Sequence, residues 1–248
     1  MTQARRARHV APPATGRCGS RNVLEKKKKS KRKKLLIWLL VDILVAAIVI
    51  ALLFHTPANY NPFVAEETDD DRVHPYLTHD LMPQLYNGAQ SQKPFEVSVS
   101  DQALNEAIAQ ARWPQHAEGA TFDAPQVIFS PESITLMGTV DAEGAELVVT
   151  IEVAPRMDEQ GLLSVGLQKV KVGAMNITPL AKAVAKKMYL ERLETVPIDT
   201  EDIRTKIAGA LLNEEAFEPV FKVEDKWVRL KGLTLYEGQF VLRFVPAR

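Results

Sequence analysis

The chain is poor in the groups that carry covalent and redox chemistry. Its one cysteine, Cys18, lies near the N-terminus, so no intramolecular disulfide can form and any domain must be held by its own core. Of its five histidines none follows His116, and it contains no GxSxG, no HExxH and no glycine-rich phosphate loop. His74 and His79 can be drawn together with Asp69, Asp70, Asp71 and Asp80. That stretch is acidic and interrupted by proline, with no framework to fix ligands, and it reads as a solvated linker rather than a metal site. Glu146 and Glu152 fall at strand spacing on a polar face, and no spacing brings two carboxylates into a cleft for acid–base work. No catalytic residue, cofactor or metal ligand is therefore expected, and the chain reads as a non-enzyme.

Charge is balanced overall but not along the chain. Of 31 cations and 31 acids, 13 and two lie up to Phe54, leaving 18 and 29 beyond it. The acidic remainder argues against a nucleic acid or other polyanion as its ligand. The cations crowd into KKKKSKRKK, Lys26 to Lys34, which runs straight into LLIWLLVDILVAAIVIALLF, Leu35 to Phe54. Twenty residues, all but Asp42 apolar, span at about 1.5 Å each a hydrocarbon core of roughly 30 Å. Cations before the run, with none after it until Arg72, place the N-terminus in the cytoplasm and everything past Phe54 outside the cell membrane. The run is too long for a cleaved signal peptide and its flank lacks a small-residue cleavage site, so it reads as a retained signal anchor. Asp42 inside it is read as a carboxylate snorkelling or neutralised near the cytoplasmic side, or as a contact to a partner helix.

Four segments follow from these patterns: a disordered basic tail at 1–34 resting on the inner leaflet, the anchor at 35–54, an acidic proline-containing spacer at 55–92, and an extracytoplasmic domain at 93–248. Within the spacer, Thr78 to Tyr86 reads as a short helix with Leu81 and Leu85 on one face. In the domain, Phe95, Val97 and Val99 alternate as a strand, and Ser100 or Asp101 caps a helix carrying Leu104 and Ile108. A meander follows, with turns at Ser130–Ser133, Glu143–Gly144 and Asp158–Gly161 and a bulge near Gln168. Thr178-Pro179 and Asp199-Thr200 each open a helix, and strands close the chain around the turn Glu237–Gly238. The fold class is α+β: a curved antiparallel meander packed against a few helices.

Alternation puts Ile134, Leu136, Leu147, Val149, Ile151, Leu163, Val165 and Leu167 on one face of the meander. Leu104, Ile108, Val184 and Met188 are expected opposite them, completing an aliphatic wall that either fills as a core or leaves a groove. The segments FEVSVSDQALNEAI, VIFSPESITLMGTV and LVVTIEVAPRMDEQGLLSVGLQKVKVGAMNI carry a resemblance. They resemble membrane-anchored YpmS-like proteins and, more distantly, the LmeA-like and YceB-like bacterial domains related to the tubular lipid-binding fold. That resemblance implies a curved sheet holding acyl chains against a helix, hence a lipid or other amphiphile as ligand. The competing expectation is a structural component of a cell-envelope complex with a protein partner and no small-molecule ligand. Topology is testable directly. A cysteine introduced as Thr68→Cys should react with an impermeant maleimide in intact cells while Cys18 does not; labelling of Cys18 alone would reverse the orientation.

Overall fold

The computed structural model describes residues 21–63, 73–117, 119–195, 203–213 and 215–247. Cys18, the acidic run Glu66–Asp71 and the helix start at Asp199-Thr200 lie outside the described residues. The first helix, α1, runs from Arg21 to Leu53. The basic stretch after Arg21, expected to be disordered, is thus helical: Lys and Arg are good helix formers, and extending an existing helix avoids the cost of nucleation. Among the described residues one segment, Lys33–Leu53, is long and apolar enough to cross a membrane, as an anchor or a signal sequence.

The chain divides into two units after Val49. In the second, a helical stretch begins as a π-helical turn, Tyr76–Leu81, and continues as α2, Met82–Gln90. Then come β1 (Phe95–Ser100), α3 (Asp101–Ala109), β2 (Gln115–Ala117), β3 (Ala120–Phe122), β4 (Gln126–Ser130), β5 (Ser133–Ala142), β6 (Ala145–Met157), β7 (Leu163–Val172) and β8 (Met175–Asn176). The remainder is α4 (Thr178–Thr195), α5 (Ile203–Asn213), β9 (Val220–Val223), β10 (Lys226–Tyr236) and β11 (Gln239–Pro246). One antiparallel sheet has the order β1-β11-β10-β9; the other runs β2-β3-β5-β6-β7-β8, with β4 also paired to β5. The expected α+β class holds, and so do the expected turns. Glu143 and Gly144 both take the left-handed conformation that a two-residue hairpin requires. The bulge is where the phase slip put it: Glu152 pairs with Lys169 and Val153 with Leu167, leaving Gln168 as the extra residue.

The core lies on one face of the first sheet. Val97, Val99, Val228, Leu230 and Phe244 are buried there with Val127 and Phe129 of β4 and Ala89 of α2. Phe129 meets Phe240 with ring centroids 5.6 Å apart, joining the two sheets, and Phe95 stacks on Phe244 at 5.2 Å. Leu81 and Leu85 pack on the same cluster, as do Leu104 and Ile108 of α3. The close approach of α2 depends on Gly88, where any β-carbon would overlap the Phe95 ring. The stretch expected to be a free spacer therefore contributes to the core, and the folded body begins well ahead of Lys93. Its polar composition hid this: Leu81, Leu85 and Ala89 are few, but each is placed at helical spacing.

Side chains from these helices also close the open strand edges. The Ser98 N–H donates to Gln84 Oε1 at 3.2 Å and the Ser100 N–H to Tyr76 Oη at 3.2 Å, on the edge of β1 away from β11. Along β4, Asn105 forms two bonds with one residue: the Val127 N–H donates to Oδ1 and the Asn105 amide donates to the Val127 carbonyl, each at 2.7 Å. Asp101 Oδ2 accepts from the Phe129 N–H at 3.3 Å. At the far side of the core, Gln90 donates to Asp225 at 3.0 Å, and that bond, with Lys226 beside it, holds the Asp225 carboxyl below its ordinary range.

Asn105 is buried, so truncating it strands both a donor and an acceptor of Val127. Asn105→Ala should lower the unfolding free energy by about 2–4 kcal/mol in a denaturant titration. Gln102→Ala, exposed on the same helix, should change it by less than about 0.5 kcal/mol. Equal effects would mean that water replaces the Asn105 side chain.

Candidate apolar groove

The strand register fixes which side chains share a face. Leu136 stands opposite Ile151, Gly138 opposite Val149 and Val140 opposite Leu147. Across β7, Ile151 faces Val170, Val153 faces Leu167, Pro155 faces Val165 and Met157 faces Leu163. The eight strand residues expected on one face are therefore on one face, kept in phase past Gln168 by the bulge.

That face has two fates along its length. Near β4 it is core, where Ile134, Met157 and Leu163 pack with Phe129 on the first sheet. Farther along β5 and β6 the cover ends. Of β6, Met157 at the C-terminal end packs against the core of the first sheet, while Ile151 does not. There Leu136 and Ile151 remain 36% and 37% exposed. Together with Val140 and Val149 they floor an open groove of about 360 Å³, rimmed by Trp113, Phe122 and Pro125. Gly138 deepens it, since the position opposite Val149 carries no side chain and the nearest atom to a β-carbon there would be Pro125 at 3.7 Å. Trp113 is held in place by its indole N–H, which donates to the Ile108 carbonyl at 2.7 Å. Gln115 and Asp123 supply the polar part of the rim.

The reverse face of the same strands is filled. Met137, Thr139 and Val148 are 1%, 6% and 8% exposed. The chain after α1 crosses here: Tyr60 and Thr139 share a hydrogen bond of 2.8 Å between their hydroxyls, and the Asn61 N–H donates to Gln126 Oε1 at 2.8 Å.

Of the expected site residues, Leu136, Val149 and Ile151 meet in the groove. Ile134 and Leu163 belong to the core, as do Leu104 and Ile108, which face the first sheet rather than an open wall. Leu147, Val165 and Leu167 are half-buried on the same sheet face but outside the groove. Val184 and Met188 are corrected outright: they point outward on α4 at 48% and 56% exposure, while Ala181 and Ala185 take the inner side. The rim was missed. Phe122 sits in a three-residue strand with one large apolar residue, and Trp113 follows a helix end before Pro114, so neither has periodicity to read. Among the described residues no group of three or more His, Cys, Asp or Glu side chains gathers as a metal site. Comparison of the chain with protein-family models, with curated proteins and with solved structures gave no match in any of the three.

The contrast between the two faces can be measured. Val149→Trp puts its ring into open space and should leave stability within about 1 kcal/mol of the starting protein. Met137→Trp overpacks the filled face and should cost about 3 kcal/mol or more. Comparable losses from both would show the groove to be closed in solution.

Proposed function

We propose that this is a single-pass membrane protein, N-terminus in the cytoplasm, whose extracytoplasmic body holds an acyl chain of a lipid or other amphiphile in the groove on β5 and β6. The open, aliphatic-floored groove with aromatic rims carries this reading. Its volume is at the small end for ligand sites, enough for one chain and too little for a whole diacyl lipid. Asp123 is the one charged residue lining it, so there is no cationic clamp for a phosphate and the ligand is held by its tail. A ligand of this kind agrees with the resemblance to lipid-binding envelope domains.

The last turn of the apolar helix is tied to a strand turn that bonds in its turn to β6. Val149 follows Val148, whose carbonyl accepts the Gly173 N–H at 2.8 Å, and the next N–H, of Ala174, donates to the Leu52 carbonyl at 2.8 Å. The alternative is a scaffolding role without a ligand, in which a protein partner would cover these exposed side chains.

The test uses a fragment from Pro57 onward, which keeps Tyr60 and the 76–90 helices, once it is shown to melt cooperatively. Dansylated undecanoic acid should bind saturably and be displaced by straight-chain fatty acids. Each added methylene should tighten displacement by up to ~4-fold, from about 0.8 kcal/mol per buried methylene, until the groove is full. Salt should have little effect, and Val149→Trp should abolish binding while remaining folded. A folded fragment that binds no acyl probe would overturn the reading in favour of scaffolding.

A further inference from the structure

A second groove lies on the first sheet, between α2 and the edge strand β9. It holds about 260 Å³, with Met82, Leu85 and Tyr86 on the helix side and Phe221 and Val223 on the strand side. Leu85, Phe221 and Val223 also pack on the core. Met82 and Tyr86, one helical turn apart, stay 56% and 42% exposed. Both walls are fixed. Gln90 at the end of α2 bonds to Asp225 in the β9–β10 turn at 3.0 Å, and the Phe221 ring meets Phe244 edge-on at 5.5 Å.

β9 comes last in the order β1-β11-β10-β9, so one of its edges has no strand beside it. The Leu230 N–H donates to the Pro219 carbonyl at 2.9 Å, and Val220 to Val223 run in register against Arg229 to Lys226. Hydrogen-bonded and non-bonded pairs alternate along an antiparallel ladder. Phe221 and Val223 therefore bond to β10, while Val220 and Lys222 turn their backbone groups outward. The Val220 N–H is taken by the Glu218 carbonyl at 2.9 Å; the Lys222 N–H and the carbonyls of Val220 and Lys222 face the open edge. Elsewhere the protein closes such edges: Gln84 and Tyr76 take the outward N–H groups of β1, and Asn105 and Asp101 those of β4. Among the described residues no side chain does so at Lys222.

We infer that this edge and its groove take an extended segment of another protein, which adds to β9 as a further strand of the sheet. Backbone donors and acceptors in a row complement another strand and not an acyl chain, which separates this site from the groove on β5 and β6. Side chains alternate across a strand. The partner residue opposite Lys222 lies on the same sheet face as that lysine, and the residues before and after it turn toward Met82 and Tyr86. The segment that fits is therefore an acid flanked by two apolar residues. Lys222 also selects against self-pairing, since an antiparallel second copy centred there would set Lys222 against its own counterpart.

The full chain, held in nanodiscs, is tested against an array of capped peptides, Ser-Thr-X-Glu-Z-Thr-Ser, with X and Z each Val, Ile, Leu, Phe or Met. Saturable binding of at least one peptide is expected, with slower amide hydrogen exchange between Val220 and Glu224. N-methylation at the central Glu removes the backbone donor to the Lys222 carbonyl and should weaken binding by about ten-fold. Met82→Glu, at an exposed position, should weaken it comparably without lowering the melting temperature. Lys222→Glu should reverse the charge preference, so that peptides with Lys at the centre bind better than those with Glu. A folded protein that binds none of the peptides would overturn the inference. Equal binding of the N-methylated peptide would mean that no strand is added. Binding indifferent to Met82→Glu, or an unchanged charge preference in Lys222→Glu, would place the peptide elsewhere. Each of these results refutes it.

Discussion

The two hydrogen bonds between Asn105 and Val127 hold the architecture together. β4 is a short strand that pairs with β5 on one side only, and its other side would present buried backbone groups. Asn105 answers the donor and the acceptor of one residue at 2.7 Å each, and Asp101 takes the next outward N–H at Phe129. Leaving such groups unpaired in a buried setting costs about 1–3 kcal/mol apiece, so α3 has to lie along β4. Because α3 also packs on the first sheet, this single choice of residue brings the two sheets together at the β4 end.

Fixing the sheets at one end leaves the other end bare. β5 and β6 continue past the cover with Leu136, Val140, Val149 and Ile151 on the uncovered side. A domain without a use for this surface would lose nothing by shortening the strands or by filling the hollow at Gly138. Room for a side chain exists there, since the nearest atom to a β-carbon is at an ordinary contact distance. The opposite face shows what filling looks like: the chain after α1 lies across it, Tyr60 satisfies the Thr139 hydroxyl, and Met137 is almost fully enclosed. One sheet thus carries a finished face and an unfinished one, built from alternate residues of the same strands.

Alternation and turn chemistry made the meander legible, down to the extra residue at Gln168, because period-two patterning and left-handed turn positions are local properties. The face shared by Leu136, Val149 and Ile151 was legible for the same reason. Which part of that face is covered was not, since it depends on the angle and length of another sheet, which pairs β1 with strands more than a hundred residues later. The helices misled in a different way. On α4 the large apolar residues Leu180, Val184 and Met188 look like a core stripe, and the structure turns the small, half-buried Ala181 and Ala185 inward instead. Burial of alanine lets a helix sit close to a strand, and hydrophobicity alone does not distinguish that packing from the bulkier one. The 76–90 helices were undervalued because the acidic run before them made the whole stretch look solvated.

The short path from Leu52 to the sheet ties these features to one another. The last carbonyls of a helix have no partner within it and need donors from elsewhere. Here the donor for Leu52 is the Ala174 N–H of a strand turn, and the contact is possible only because Gly173 has no side chain and tolerates a left-handed backbone. The turn is in turn locked to β6 through the Val148 carbonyl. Val149, the next residue, turns its side chain into the groove, while Val148 is buried on the filled face. A glycine at 173 therefore lets the strand turn reach the Leu52 carbonyl. Any larger residue there would have to push the turn off Leu52.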